Sequence, residues 1–249
     1  MRWLAHGEHE VPSGVEWLSP RERSVLGGIR YRKRYVEFLT RRWTAKRALA
    51  TVLERDCTAV ALAAIEIGNH PSGAPFLLID GRPAPIEISL SDRAGWAVCL
   101  VGPPDSSAGP LGIDLEIVEP RSDAFIEDFF TAPERDYVGA LPPGAARDEA
   151  ANLIWSAKEA ALKVLKIGLR ADTREVEVKI GHARRAGDWA EFTVTARDGA
   201  VFPGWWRRDG VFLVTIAGTA PSEPPALLDG GGDLAVALPV HSWMARPLV

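Results

Sequence analysis

Leu111-Gly112-Ile113-Asp114-Leu115-Glu116-Ile117 alternates apolar and acidic residues, and about forty residues on stands Trp155-Ser156-Ala157-Lys158-Glu159-Ala160-Ala161-Leu162-Lys163. The first stretch reads as a strand: Leu111, Ile113, Leu115 and Ile117 share one face, and Asp114 and Glu116 share the other. The second belongs to an amphipathic helix expected from about Asp148 to Lys166. Leu153, Ala157, Ala160, Ala161, Val164 and Leu165 fall at helical spacing, and Gly168 is placed to end it. Trp155, Glu159 and Lys163 then form an i, i+4, i+8 stripe beside the apolar face.

Together the two segments offer three carboxylates and a lysine. Hard divalent cations take oxygen ligands, and Mg²⁺ is commonly held by a few carboxylates, water and phosphate oxygens, so Asp114, Glu116 and Glu159 suffice as a metal-ligand set. Lys163, one turn beyond Glu159, is placed to meet the same phosphate as a point charge. Each motif alone has a plainer explanation, a solvated strand face and a surface ion pair worth about 0.2–0.5 kcal/mol. Their combination favours a site.

The order and separation of Gly-Ile-Asp-Leu-Glu and Trp-Ser-Ala-Lys-Glu-Ala-Ala-Leu-Lys resemble the two signature motifs of the 4′-phosphopantetheinyl transferases, in the larger Sfp-type class. Phe129-Phe130-Thr131-Ala132-Pro133-Glu134-Arg135 is similar to the family's Phe-Phe followed by a helix start, and weaker similarity runs from about Arg30 to about Gly218. The resemblance implies an α+β monomer of two similar α/β halves related by a pseudo-twofold axis. It divides the chain into an N-terminal half, 1–108, a metal-binding half, 109–220, and a linker and tail, 221–249. The implied reaction is Mg²⁺-dependent transfer of the 4′-phosphopantetheine arm of coenzyme A to a serine of an apo acyl or peptidyl carrier protein, releasing adenosine 3′,5′-bisphosphate. Asp114, Glu116 and Glu159 would hold the metal. Lys163 would neutralise phosphate oxygen or protonate the leaving group, and Lys158 would contact phosphate from the other side of the helix.

Two carboxylates compete to accept the serine proton, Glu159 and Glu134. The latter also completes a Thr-x-x-Glu capping box that explains it structurally. The helix expected over Arg34 to Leu53 is basic, and Arg41-Arg42-Trp43-Thr44-Ala45-Lys46-Arg47 resembles the element that grips the 3′-phosphate of coenzyme A, with Arg47 aligning best and Arg42 beside it. Gly81-Arg82-Pro83 is similar to the element against the adenine, which makes Arg82 and Pro83 candidates. Ile88-Ser89-Leu90-Ser91 resembles the strand leading to the phosphate site. The family's Ser-His is replaced by Ser91-Asp92-Arg93. An aspartate repels phosphate, so Ser91 and Arg93 are the candidate contacts there and Asp92 is a departure.

The chain has 249 residues, 47% hydrophobic, ample for a core, and a formal net charge of −4. That balance, and the lack of a recognised nucleic-acid motif, speak against nucleic-acid binding, and the basic helix is equally explained as a solubilising face. No apolar run is long enough to span a bilayer and no secretory signal is read, so the expected location is the cytoplasm, with no membrane partner. Cys57 and Cys99 are expected as buried free thiols. His6-Gly7-Glu8-His9 has metal-like residue types but is expected to lie in a loose, solvated terminus. Trp205-Trp206 reads as core or hairpin packing. Pro103 to Pro110 is the best connection between halves, and Leu234 to Val240 is a candidate edge strand. Two further readings stand beside the transferase: a non-catalytic protein of the same fold that binds coenzyme A or a carrier protein, and a Mg²⁺-dependent hydrolase of coenzyme A or another pyrophosphate.

Overall fold

A computed structural model describes residues 1–104, 109–166, 172–184 and 189–240. Gly168 and the middle of the Pro103 to Pro110 connection, residues 105–108, lie outside the described residues. In chain order the elements are β1 (Arg2–Gly7), α1 (Pro20–Gly27), α2 (Arg32–Val52), α3 (Ala59–Ala63), β2 (Ile65–Asn69), β3 (Pro75–Ile79), β4 (Arg82–Pro83), β5 (Ile88–Arg93), β6 (Trp96–Val101), β7 (Leu111–Ile117), α4 (Asp123–Phe129), α5 (Ala132–Gly139), α6 (Ala145–Val164), β8 (Val176–Arg184), β9 (Ala190–Ala196), β10 (Val201–Asp209), β11 (Phe212–Gly218) and β12 (Ala226–Leu227). The described residues thus form a mixed α and β structure.

Three sheets have the orders β12-β1-β6-β5, β7-β11-β10-β9-β8 and β2-β3-β4. Helix α2 packs on β1 and β6, and α6 packs on β7 and β11. Strand β7 is buried along its whole length. Its apolar face, Ile113, Leu115 and Ile117, joins a core with Trp3, Trp96, Leu100 and Trp205, while the Asp114 face turns to α6. Gly112 allows that approach: a Cβ there would come within 1.9 Å of the Ala160 carbonyl oxygen, so only glycine lets β7 lie this close to α6.

One polar unit is built twice. Ser19 caps α1, and Glu22 in its first turn accepts from the Ser19 and Ile67 amides while pairing with Lys46 of α2 at 2.7 Å. Thr131 caps α5, and Glu134 accepts from the Thr131 and Val178 amides while pairing with Lys158 of α6 at 2.8 Å. Lys46 also donates to the carbonyls of Leu62 and Ile65, and Lys158 to those of Thr173 and Val176. Both lysines are fully buried, and burial pulls both ammoniums below their ordinary value against the raising effect of their carboxylates. The helices match in sequence as well: Trp43-Thr44-Ala45-Lys46-Arg47-Ala48 stands where α6 has Trp155-Ser156-Ala157-Lys158-Glu159-Ala160.

Several expectations need correction. The N-terminus is an inner strand of a sheet, and His6 is buried, because β1 pairs with β6 on one side and β12 on the other. Cys57 is exposed while Cys99 is buried. The strand added by the tail is β12, parallel to β1, ahead of Leu234 to Val240. Trp205 and Trp206 are buried in β10, as their packing role requires. Among the described residues no helix is long and apolar enough to cross a membrane.

Candidate functional site

A cavity of about 820 Å³ opens between the two helix-sheet units, a size suited to a cofactor-sized ligand. Arg21 and Glu22 of α1, Phe38, Arg41 and Arg42 of α2, and Ile67 and Asn69 of β2 line it from the first unit. Ser89, Ser91 and Asp92 of β5 form part of its wall. Asp114 of β7 and Glu159, Leu162 and Lys163 of α6 line it from the second unit.

Asp114 accepts from three side chains. Its Oδ1 accepts from Ser91 Oγ at 2.8 Å and from Lys163 Nζ at 2.8 Å, and its Oδ2 accepts from Ser156 Oγ at 2.9 Å. Lys163 also donates to the Ile113 carbonyl at 2.7 Å. Glu159, one turn before Lys163, has a buried Oε1 with no hydrogen-bond partner. Burial first, and the Asp114 charge second, push its carboxyl up to about 7, with Lys163 opposing. A carboxyl with that value, facing a cavity, is suited to accept a proton near neutrality.

Glu116 does not line the cavity, although the alternation of β7 points it the same way as Asp114. Trp155 Nε1 donates to its Oε1 at 3.0 Å, and Arg93 and Arg121 approach its Oε2 at 3.2 and 3.1 Å. Among the described residues no three His, Cys, Asp or Glu converge as a metal-binding group. Mg²⁺ needs only one or two carboxylates when substrate phosphates and water complete its shell. Asp114 and Glu159, with an orphaned buried oxygen, fit that requirement.

The cations differ from the sequence reading. Lys158 is not in the cavity: the rotation of about 100° that takes it off the Glu159 face carries it into the core, against Glu134. Arg47 is also elsewhere. It lies six positions after Arg41, about 240° around α2, and its guanidinium sits over the Trp43 ring on the β1 side. Arg82 and Pro83 form an exposed two-residue strand outside the cavity lining. Arg93 leans away from the cavity toward Glu116 and Glu119, the latter at 2.7 Å. Asp92 does reach the cavity wall, but as the partner of Arg41, so its charge is neutralised.

Arg42 donates to Asn69 Oδ1 at 2.9 Å and lies over the Phe38 ring; burial lowers its guanidinium to about 10, which leaves it charged at neutral pH. Sequence reasoning passed over Arg41, Ser156 and Thr215 as individual site residues. For Ser156 the matched hexapeptides of α2 and α6 were the available signal, since they align it with Thr44; they contain neither Arg41 nor Thr215. The duplication also bears on Glu134. Glu22 has the same cap, the same amide partners and the same lysine, so this arrangement is a structural unit in both places.

A model of the 4′-phosphopantetheinyl transferase superfamily matches residues 110–192, from just before β7 into β9, and supports that superfamily for the segment carrying Asp114, Glu159 and Lys163. No curated protein matches the chain.

Proposed function

We propose that this protein transfers the 4′-phosphopantetheine arm of coenzyme A to a serine of an apo acyl or peptidyl carrier protein, as an Sfp-type enzyme whose two helix-sheet units are the halves of a pseudo-dimer. The observation that carries the reading is the two-sided lining of the cavity: Arg41 and Arg42, paired with Asp92 and Glu22, on one wall, and Asp114, Glu159 and Lys163 on the other. That arrangement suits a ligand with phosphates at two places and a reacting hydroxyl between the walls.

Asp114 and Glu159 would hold Mg²⁺; the ion's contribution would be to neutralise the pyrophosphate and orient it. The chain's own groups do the rest. Glu159 takes the proton of the carrier serine as its oxygen bonds to the pantetheine-bearing phosphorus. The bond from that phosphorus to the bridging oxygen breaks, and the electron pair leaves with adenosine 3′,5′-bisphosphate. Lys163 meets the charge that develops on phosphate oxygen, while Arg41 and Arg42 fix the nucleotide end. Asp92, the departure that favoured a non-catalytic binder, has a partner in Arg41 and gives that alternative no further support.

Intact-mass spectrometry of several apo carrier proteins incubated with this protein, coenzyme A and MgCl₂ tests the reading. The expected result is a gain of one phosphopantetheine, absent with Asp114→Ala. Release of adenosine 3′,5′-bisphosphate without a carrier gain would identify a hydrolase. Binding of coenzyme A with neither product would leave a binding protein. A steady-state comparison tests the cation assignment: Arg41→Ala raises the KM for coenzyme A by about ten- to a hundredfold, the loss of a charged hydrogen bond, and Arg93→Ala leaves it unchanged. The reverse pattern would place the phosphate contact on Arg93.

A further inference from the structure

Beneath Asp114 lies a chain of two hydroxyls. Ser156 Oγ donates to Asp114 Oδ2, and it lies 2.8 Å from Thr215 Oγ1, which also donates to the Ser156 carbonyl at 2.9 Å. Ser156 and Thr215 are fully buried. A carboxylate only accepts, so the single Ser156 proton is committed to Asp114, and the single Thr215 proton is shared between Ser156 Oγ and the Ser156 carbonyl. Thr215 stands directly opposite Asp114 in the β7–β11 register.

The duplicated unit supplies an internal comparison. At the matching place on α2, Thr44 turns back to donate to the Thr40 carbonyl at 2.8 Å, the usual habit of a buried hydroxyl within a helix. Leu4 and Cys99 are the opposed pair in the strands beneath, where the second unit has Asp114 and Thr215. The hydroxyl chain therefore accompanies the carboxylate and is absent from the unit that has none.

From this we infer that Ser156 and Thr215 are positioning residues, which hold the Asp114 carboxylate in one rotamer facing the cavity and so set its affinity for a divalent cation. This rests on the metal reading above. Partners in the shell behind a metal ligand typically change affinity by about 10–100-fold when removed.

Mn²⁺ binding, counted by electron paramagnetic resonance with saturating coenzyme A, no carrier protein and a protein-free blank, tests the inference. Ser156→Ala and the near-isosteric Thr215→Val should each raise the Mn²⁺ dissociation constant by about 10–100-fold. Thr215→Ser should restore it, and Thr44→Ala, which removes a buried hydroxyl of the other helix, should leave it unchanged. Circular dichroism melting establishes that each variant is folded. Wild-type affinity in both folded Ser156→Ala and Thr215→Val overturns the inference and leaves the metal reading standing. A wild-type chain that binds no Mn²⁺ overturns both.

Discussion

Glu159→Gln lowers the transfer rate by about 10²- to 10⁴-fold, the range for loss of a general base, while coenzyme A binding persists. The expectation follows from a carboxyl raised to about 7 by burial and by Asp114, with one oxygen left unpartnered. The same shift has a consequence for stability. The folded state holds a proton that the unfolded chain has already shed above the ordinary carboxyl value of 4.5, so the folded state is favoured on the acid side. In a divalent-free buffer, folding stability contributed by this group falls as pH rises from 4.5 to about 7, by on the order of 3 kcal/mol. Chemical denaturation at several pH values checks this: Glu159→Gln should remove that component. An unaltered rate in the glutamine variant would eliminate Glu159 as the base.

Lys158→Ala is the second large effect, and it falls on stability. It leaves Glu134 buried, 2% exposed, without its cation, and removing one partner of a buried pair typically destabilises by about 3–5 kcal/mol. For a chain of this size that corresponds to a melting temperature lower by about 6–20 °C. Lys46→Ala should destabilise less, since Glu22 keeps a second cation in Arg42 at 3.5 Å. Glu134→Gln separates the two roles weighed for that residue. Destabilisation with near-normal turnover per folded molecule is the expected outcome. A stable variant with a collapsed rate would restore Glu134 as the proton acceptor.

The fold and site were legible to different depths. Period-two alternation over Leu111 to Ile117 and helical spacing through the Glu159 segment correspond to β7 and α6, because the separation of apolar from polar faces is written directly into residue order. The Thr131 capping box is likewise local and is present. The tail was less legible: β12 has only two residues, too few for a periodic signal. Nor does residue order show that His6 lies within a sheet, since that depends on pairing with β6, far along the chain.

Sequence by itself determined the strand and helix that carry Asp114, Glu159 and Lys163, and the likeness of the α2 and α6 hexapeptides was present in it. Tertiary structure decided which charges face the cavity. Lys158, Arg47, Arg93 and Glu116 each have a chemically suitable side chain, and each is engaged elsewhere, by Glu134, by Trp43, by Glu119 and by two arginines respectively. The physical reason is that a buried charge is stable only with its partner. Apart from Trp43 on the helix of Arg47 and Arg121 just after Glu116, those partners come from elements distant in the chain, so the rotation of a helix and the packing of one strand against it choose between ligand and structural pair.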